Sequence, residues 1–204
     1  MNPLVKICGL RRPADILYVN EAMPDFIGYV FAGSRRRVSR EEAAELTELL
    51  DEGIVPVGVF VNEEMKVIQE LAWDGTIRMI QLHGQEPPEY ARTLHRLTGL
   101  PIIKAISVTD AASILRYQDY PSDYLLLDKG AGGTGKRFSW EVLEQAKALG
   151  FSRKIFLAGG LCPENVREAA EMAPWCLDVS SGVETDGFKD REKIRRFMKE
   201  CGRS

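Results

Sequence analysis

Strand-length apolar runs recur eight times along this chain, at residues 4–8, 26–31, 55–61, 77–82, 102–105, 124–128, 154–158 and 176–179, with helix-forming segments between them. Strands that alternate with helices pair in parallel, because a parallel neighbour can be reached only by a crossover long enough to hold a helix. Eight such units in 204 residues predict a single-domain α/β fold, a (βα)8 TIM barrel spanning 1–204. An open doubly wound sheet is the alternative, and eight strands disfavour it. A chain of this size buries one sizeable core, so no second domain is expected.

Several helices are readable from their ends. Ser39, followed by Glu41 and Glu42 and then by Ala43, Ala44, Leu46, Leu49 and Leu50, predicts a capped amphipathic helix that stops near Gly53. Ser139 with Trp140 and Glu141 starts another, which ends at Gly150. Pro163 at a first-turn position opens a third, through Val166 and Ala170. Between Asp110 and Tyr117 there is room for only a short helix.

Charge and cysteine usage exclude several functions. The net charge of −3 is scattered, with no basic stripe for a nucleic-acid groove. Arg35, Arg36 and Arg37 form the densest basic run, which reads as solvated surface unless one arginine has a specific partner. Cys8, Cys162, Cys176 and Cys201 make no CxxC pair and no zinc spacing with the two histidines, so a metal is not indicated. The N-terminus shows no charged leader with an apolar core, and no run reaches membrane-spanning length. The expectation is a cytoplasmic protein with reduced thiols and no membrane partner.

Functional groups of a TIM barrel lie at the C-terminal ends of its strands. Cys8 ends the first strand, Gln81 and His83 the fourth, Lys104 the fifth, Asp128 the sixth, and Asp178 with Ser180 the eighth. Cys8 shares a strand face with Lys6, whose ammonium would lower the thiol's pKa and make it a base; equally, a free cysteine serves as packing. Asp128 follows three leucines, and burial there would favour its protonated form and a general-acid role. A salt bridge to Lys129 or a turn cap is the plainer alternative. His83 reads first as a structural histidine. The glycine-rich stretch 130–136 supplies a loop able to close over a substrate but lacks the Walker pattern. Gly159 and Gly160 after the seventh strand, and Ser180, Ser181 and Gly182 after the eighth, suit either a phosphate site or ordinary strand-to-helix turns. Two such loops on adjacent strands favour phosphate.

Taken in order, these residues carry a family resemblance. Lys6-Ile-Cys-Gly, Asp25-Phe-Ile-Gly-Tyr-Val-Phe, Ser34-Arg-Arg, Gln81-Leu-His-Gly, Leu127-Asp, Gly132-Gly-Thr-Gly, Ala158-Gly-Gly-Leu, Asp178-Val-Ser-Ser-Gly-Val-Glu and Gly187-Phe-Lys-Asp cover nearly the whole chain. The set resembles the phosphoribosylanthranilate isomerases, barrel enzymes of tryptophan biosynthesis. The resemblance implies an Amadori rearrangement of a small phosphorylated aminoaldose, without cofactor or metal, by a monomer or homodimer. It makes Cys8 the general base and Asp128 the general acid, and it assigns Arg36 to the anthranilate carboxylate. Asp178 would face the substrate's amino and hydroxyl groups, His83 would join the substrate contacts, and the loops at Gly159, Gly160, Ser180, Ser181 and Gly182 would hold phosphate. Cys162 departs from the family pattern, standing where a polar helix cap is expected.

Overall fold

In the computed structural model, residues 2–128 and 140–203 are described. Eight strands, β1 (Leu4–Cys8), β2 (Phe26–Val30), β3 (Val55–Phe60), β4 (Met79–Leu82), β5 (Ile102–Ser107), β6 (Tyr124–Asp128), β7 (Ile155–Leu157) and β8 (Cys176–Val179), close in sequence order into a barrel. Every neighbouring pair is parallel, and β8 returns to β1 with Lys6 beside Asp178. The predicted barrel is therefore the observed one.

Helices α1 (Pro13–Ala22), α2 (Arg40–Glu48), α3 (Met65–Trp73), α4 (Pro88–Thr98), α5 (Ala111–Leu115), α6 (Trp140–Ala148), α7 (Val166–Glu171) and α8 (Arg191–Glu200) follow the strands. Ser39 caps α2 as its sequence predicts: its hydroxyl accepts from the Glu42 amide at 3.1 Å, and Glu42 accepts from the Ser39 amide at 2.7 Å. The short α5 is as expected, and Asp110 caps it. The α7 start differs. Pro163 lies in a turn, and the helix begins at Val166, because Asn165 accepts from the Cys162 amide and donates to the Gly160 carbonyl. Asn165, not Cys162, ties this loop together. The stretch 129–139, with its glycine-rich loop and the expected Ser139 cap, lies outside the described residues.

Strand alternation divides the core in two. Ile7, Ile27, Ile80, Leu125, Leu127 and Leu177 point outward and pack under the helices. Phe26, Val57, Met79, Ile103, Leu126, Phe156 and Cys176 fill the interior. Its lower end is closed by rings: Phe156 lies 5.6 Å from both Phe26 and Tyr124, and Tyr124 stacks on Trp175 at 4.3 Å. Opposite this aromatic floor, the interior opens at the C-terminal ends of the strands. Between β8 and α8, a short 3-10 turn at Ser181–Val183 leads into a hairpin of β9 (Glu184–Thr185) and β10 (Phe188–Lys189). Among the described residues, no helix is long and apolar enough to cross a membrane.

Candidate active site

Above the aromatic floor polar side chains join the interior residues, and a cavity of about 410 Å³ opens at the mouth. Cys8, Arg36, His83, Asp128, Gly159, Gly160, Asp178, Ser180 and Ser181 all line it, so residues far apart in sequence meet around one space. Val30, Ala32, Val59 and Val61 add an apolar wall that the sequence reading did not anticipate. That wall suits a flat ring. Gly182 lies beneath: a Cβ there would come 1.8 Å from the Leu161 carbonyl oxygen, so glycine is what lets the loops after β7 and β8 touch.

Cys8 is buried at the end of β1, opposite Gly28 of β2. A side chain at position 28 would come 2.7 Å from the Cys8 sulfur, so that glycine makes room for the thiol. Burial pushes the Cys8 thiol above its ordinary value, against the pull of Lys6. This corrects the expectation of a lowered pKa, because desolvation of the thiolate outweighs the nearby ammonium. Lys6 donates to Asp178 Oδ1 at 3.0 Å. Burial works against its ammonium, but Asp178 and Cys8 hold it firmly protonated. Asp178 itself is raised, since burial exceeds the help it receives from Lys6.

Across the mouth, the Gln81 amide meets His83 Nδ1 at 2.9 Å. With the amide donating, the ring proton sits on Nε2, which lies 4.0 Å from Asp128 Oδ2. Burial lowers the His83 pKa, so the imidazole is neutral at pH 7. Asp128 is less enclosed than its leucine-rich strand suggests. Its side chain is 38% exposed, because those leucines line the strand while the carboxylate reaches the open rim.

Lys104 is not part of this site. Ile103 and Ala105 face the interior, so Lys104 faces outward, where it meets Glu86 at 2.7 Å and the Gly84 carbonyl at 2.7 Å. The strand's parity, invisible in an all-apolar run, decides this. Glu184 was given no role by the sequence: its carboxylate, 4% exposed, holds Arg36 through Nε at 2.7 Å and Nη2 at 2.9 Å.

The chain is similar to known proteins over almost its full length. The family model described as N-(5'phosphoribosyl)anthranilate (PRA) isomerase matches residues 5–200. The N-(5'-phosphoribosyl)anthranilate isomerase of Acetivibrio thermocellus is 47% identical over 95% of this chain and 93% of its own. The crystal structure of phosphoribosyl anthranilate isomerase from Thermotoga maritima superposes with a TM-score of 0.88 at 37% identity, covering 98% of both chains. A crystal structure of phosphoribosyl anthranilate isomerase in complex with reduced 1-(o-carboxyphenylamino)-1-deoxyribulose 5-phosphate gives 0.86 at 35% identity, again over 98% of both. With its barrel, its lined mouth and a family match over almost its full length, the chain belongs to the N-(5'-phosphoribosyl)anthranilate isomerase family.

Proposed function

We propose that this protein converts N-(5-phosphoribosyl)anthranilate into 1-(2-carboxyphenylamino)-1-deoxyribulose 5-phosphate, a step of tryptophan biosynthesis, with Cys8 as general base and Asp128 as general acid. One observation carries the reading: a thiol on β1 and a carboxylate on β6 line the same cavity from different walls, beside a guanidinium and an apolar surface. Asp128 gives a proton to the furanose oxygen as the C1′–O bond breaks and the nitrogen lone pair forms a Schiff base. Cys8 takes the C2′ proton on its ionised sulfur, a form that burial disfavours and Lys6 supports, and the released electron pair neutralises the iminium to an enolamine. Tautomerisation then yields the ketone. No net proton is consumed.

The other residues supply binding. Arg36 takes the anthranilate carboxylate, the pairing a planar guanidinium makes through two parallel hydrogen bonds, while Val30, Val59 and Val61 cover the ring. Asp178 faces the amino and hydroxyl groups, with His83 adding a neutral donor. The loops at Gly159, Gly160, Ser180 and Ser181 receive the phosphate.

The test is a fluorescence assay with freshly generated phosphoribosylanthranilate, without added metal or nucleotide. The protein should quench substrate fluorescence, and Cys8→Ser and Asp128→Asn should each cut turnover by at least roughly 10²-fold. No acceleration over the spontaneous background would overturn the function; near-normal turnover of either variant would overturn that residue's role.

A further inference from the structure

The carboxylate of Glu184 faces three cations. Arg36 meets it through Nε and Nη2, Arg35 through Nη2 at 3.1 Å, and Lys189 through Nζ at 2.9 Å. One carboxylate therefore stands against three cations, and of these only Arg36 reaches the cavity. A guanidinium has two edges that can each make a two-pronged bond. Glu184 takes the Nε–Nη2 edge, and among the described residues no hydrogen bond occupies Nη1. From the other side Gly9 confines the same side chain: a Cβ at position 9, where φ is +89°, would come 2.4 Å from Arg36 Cδ.

We infer that Glu184 is a positioning residue for substrate recognition, holding Arg36 by one edge so that its Nη1–Nη2 edge is presented to the substrate's ring carboxylate. The inference rests on the reading that Arg36 binds that carboxylate. The opposite arrangement, in which Glu184 is a stand-in that the substrate displaces, conflicts with its surroundings. Swinging away would strand the ammonium of Lys189, whose side chain is 1% exposed and whose remaining partner is the Ser180 carbonyl. Glu184 is also firmly ionised. Burial works against its charge, but bonds from Arg36 and Lys189 bring its pKa down to about 2.

Glu184→Gln and Glu184→Asp test this in the full chain. Glutamine removes the charge while keeping an acceptor for Lys189; aspartate keeps the charge but withdraws it from Arg36 by one methylene, and so still reports if the glutamine variant folds poorly. Each is assayed on two substrates generated from ribose 5-phosphate, one with anthranilate and one with aniline, which lacks the carboxylate. The expected result is a KM for the anthranilate substrate raised about tenfold with kcat within about threefold, the signature of lost uniform binding. KM for the aniline substrate should stay unchanged. An unchanged or lowered anthranilate KM overturns the inference, and so does an equal loss on both substrates. Arg36→Met separates the two readings. It should abolish the preference for the carboxylated substrate; if the preference survives, Arg36 is not the carboxylate partner and the underlying reading fails instead.

Discussion

Lys6 and Lys104 are both buried lysines on barrel strands, each paired with a carboxylate, at 3.0 Å to Asp178 and 2.7 Å to Glu86. They differ in which side of the wall they face and in what else touches the carboxylate. Glu86 lies outside the barrel and also accepts from the amides of Asn62 and Gly84, while Lys104 also donates to the Gly84 carbonyl. Burial raises the Glu86 pKa, yet these donors outweigh it and the net shift is downward. Asp178 lies inside, at the cavity, with Lys6 as its side-chain donor, and there burial wins and the shift is upward. Two lysine–carboxylate pairs thus differ in supply: Glu86, saturated with donors, ties the loops after β3 and β4 to strand β5, whereas Asp178 at the cavity has fewer donors.

The strongest way to break that comparison is to remove one partner of the outer pair. Lys104→Met leaves the Glu86 charge buried and should cost about 3–5 kcal/mol of stability, read by urea unfolding, while kcat below the transition stays close to wild type. Equal losses of turnover and stability would place Lys104 in the site after all. Lys6→Met also strands a buried carboxylate, and it should in addition cut turnover by roughly 10²-fold, the scale for disturbing a proton-transfer group. Because Lys6 opposes the upward shift of the Cys8 thiol, the same variant should move the alkaline rise of kcat/KM to higher pH. A rise at unchanged pH would detach Lys6 from the thiol.

Coupling gives a smaller effect. Adding Glu86→Gln to Lys104→Met removes the stranded charge but keeps an acceptor for the Asn62 and Gly84 amides. The double variant should regain on the order of 1–3 kcal/mol relative to Lys104→Met alone. The smallest effect is in the acid limb of stability. A carboxylate whose folded pKa is depressed contributes stability above its ordinary value of 4.5, and that stability is lost as pH falls through the folded pKa. Glu86→Gln should therefore flatten the loss below pH 4.5. Asp178 carries the opposite shift, so its ionisation costs stability as pH rises above its ordinary 3.8. Asp178→Asn should leave the acid limb no flatter, and flattening there would erase the contrast.

Much of the site was legible because a barrel brings strand ends to one rim whatever the sequence between them. Cys8, His83, Asp128 and Asp178 could be nominated from position alone, and all four line the cavity. Lys104 could not be placed the same way. Residues 102, 103, 105 and 106 are all apolar, so β5 offers no alternation to tell its inner face from its outer one. Glu184 escaped for a different reason. Its partner Arg36 is 148 residues away, and nothing local distinguishes that glutamate from a solvated one.

The sequence by itself determined the class of fold and the end of the barrel where chemistry gathers. Periodicity and strand length are local properties, and closure in parallel order follows from them. Only the tertiary structure decided which face each strand turns inward, which charges meet, and whether a buried carboxylate is saturated or left wanting. Those outcomes depend on the register between strands and on donors that arrive from distant loops. Burial and hydrogen bonding then set the direction of each pKa, which is why Cys8, read as an activated thiol beside a lysine, is pushed upward instead.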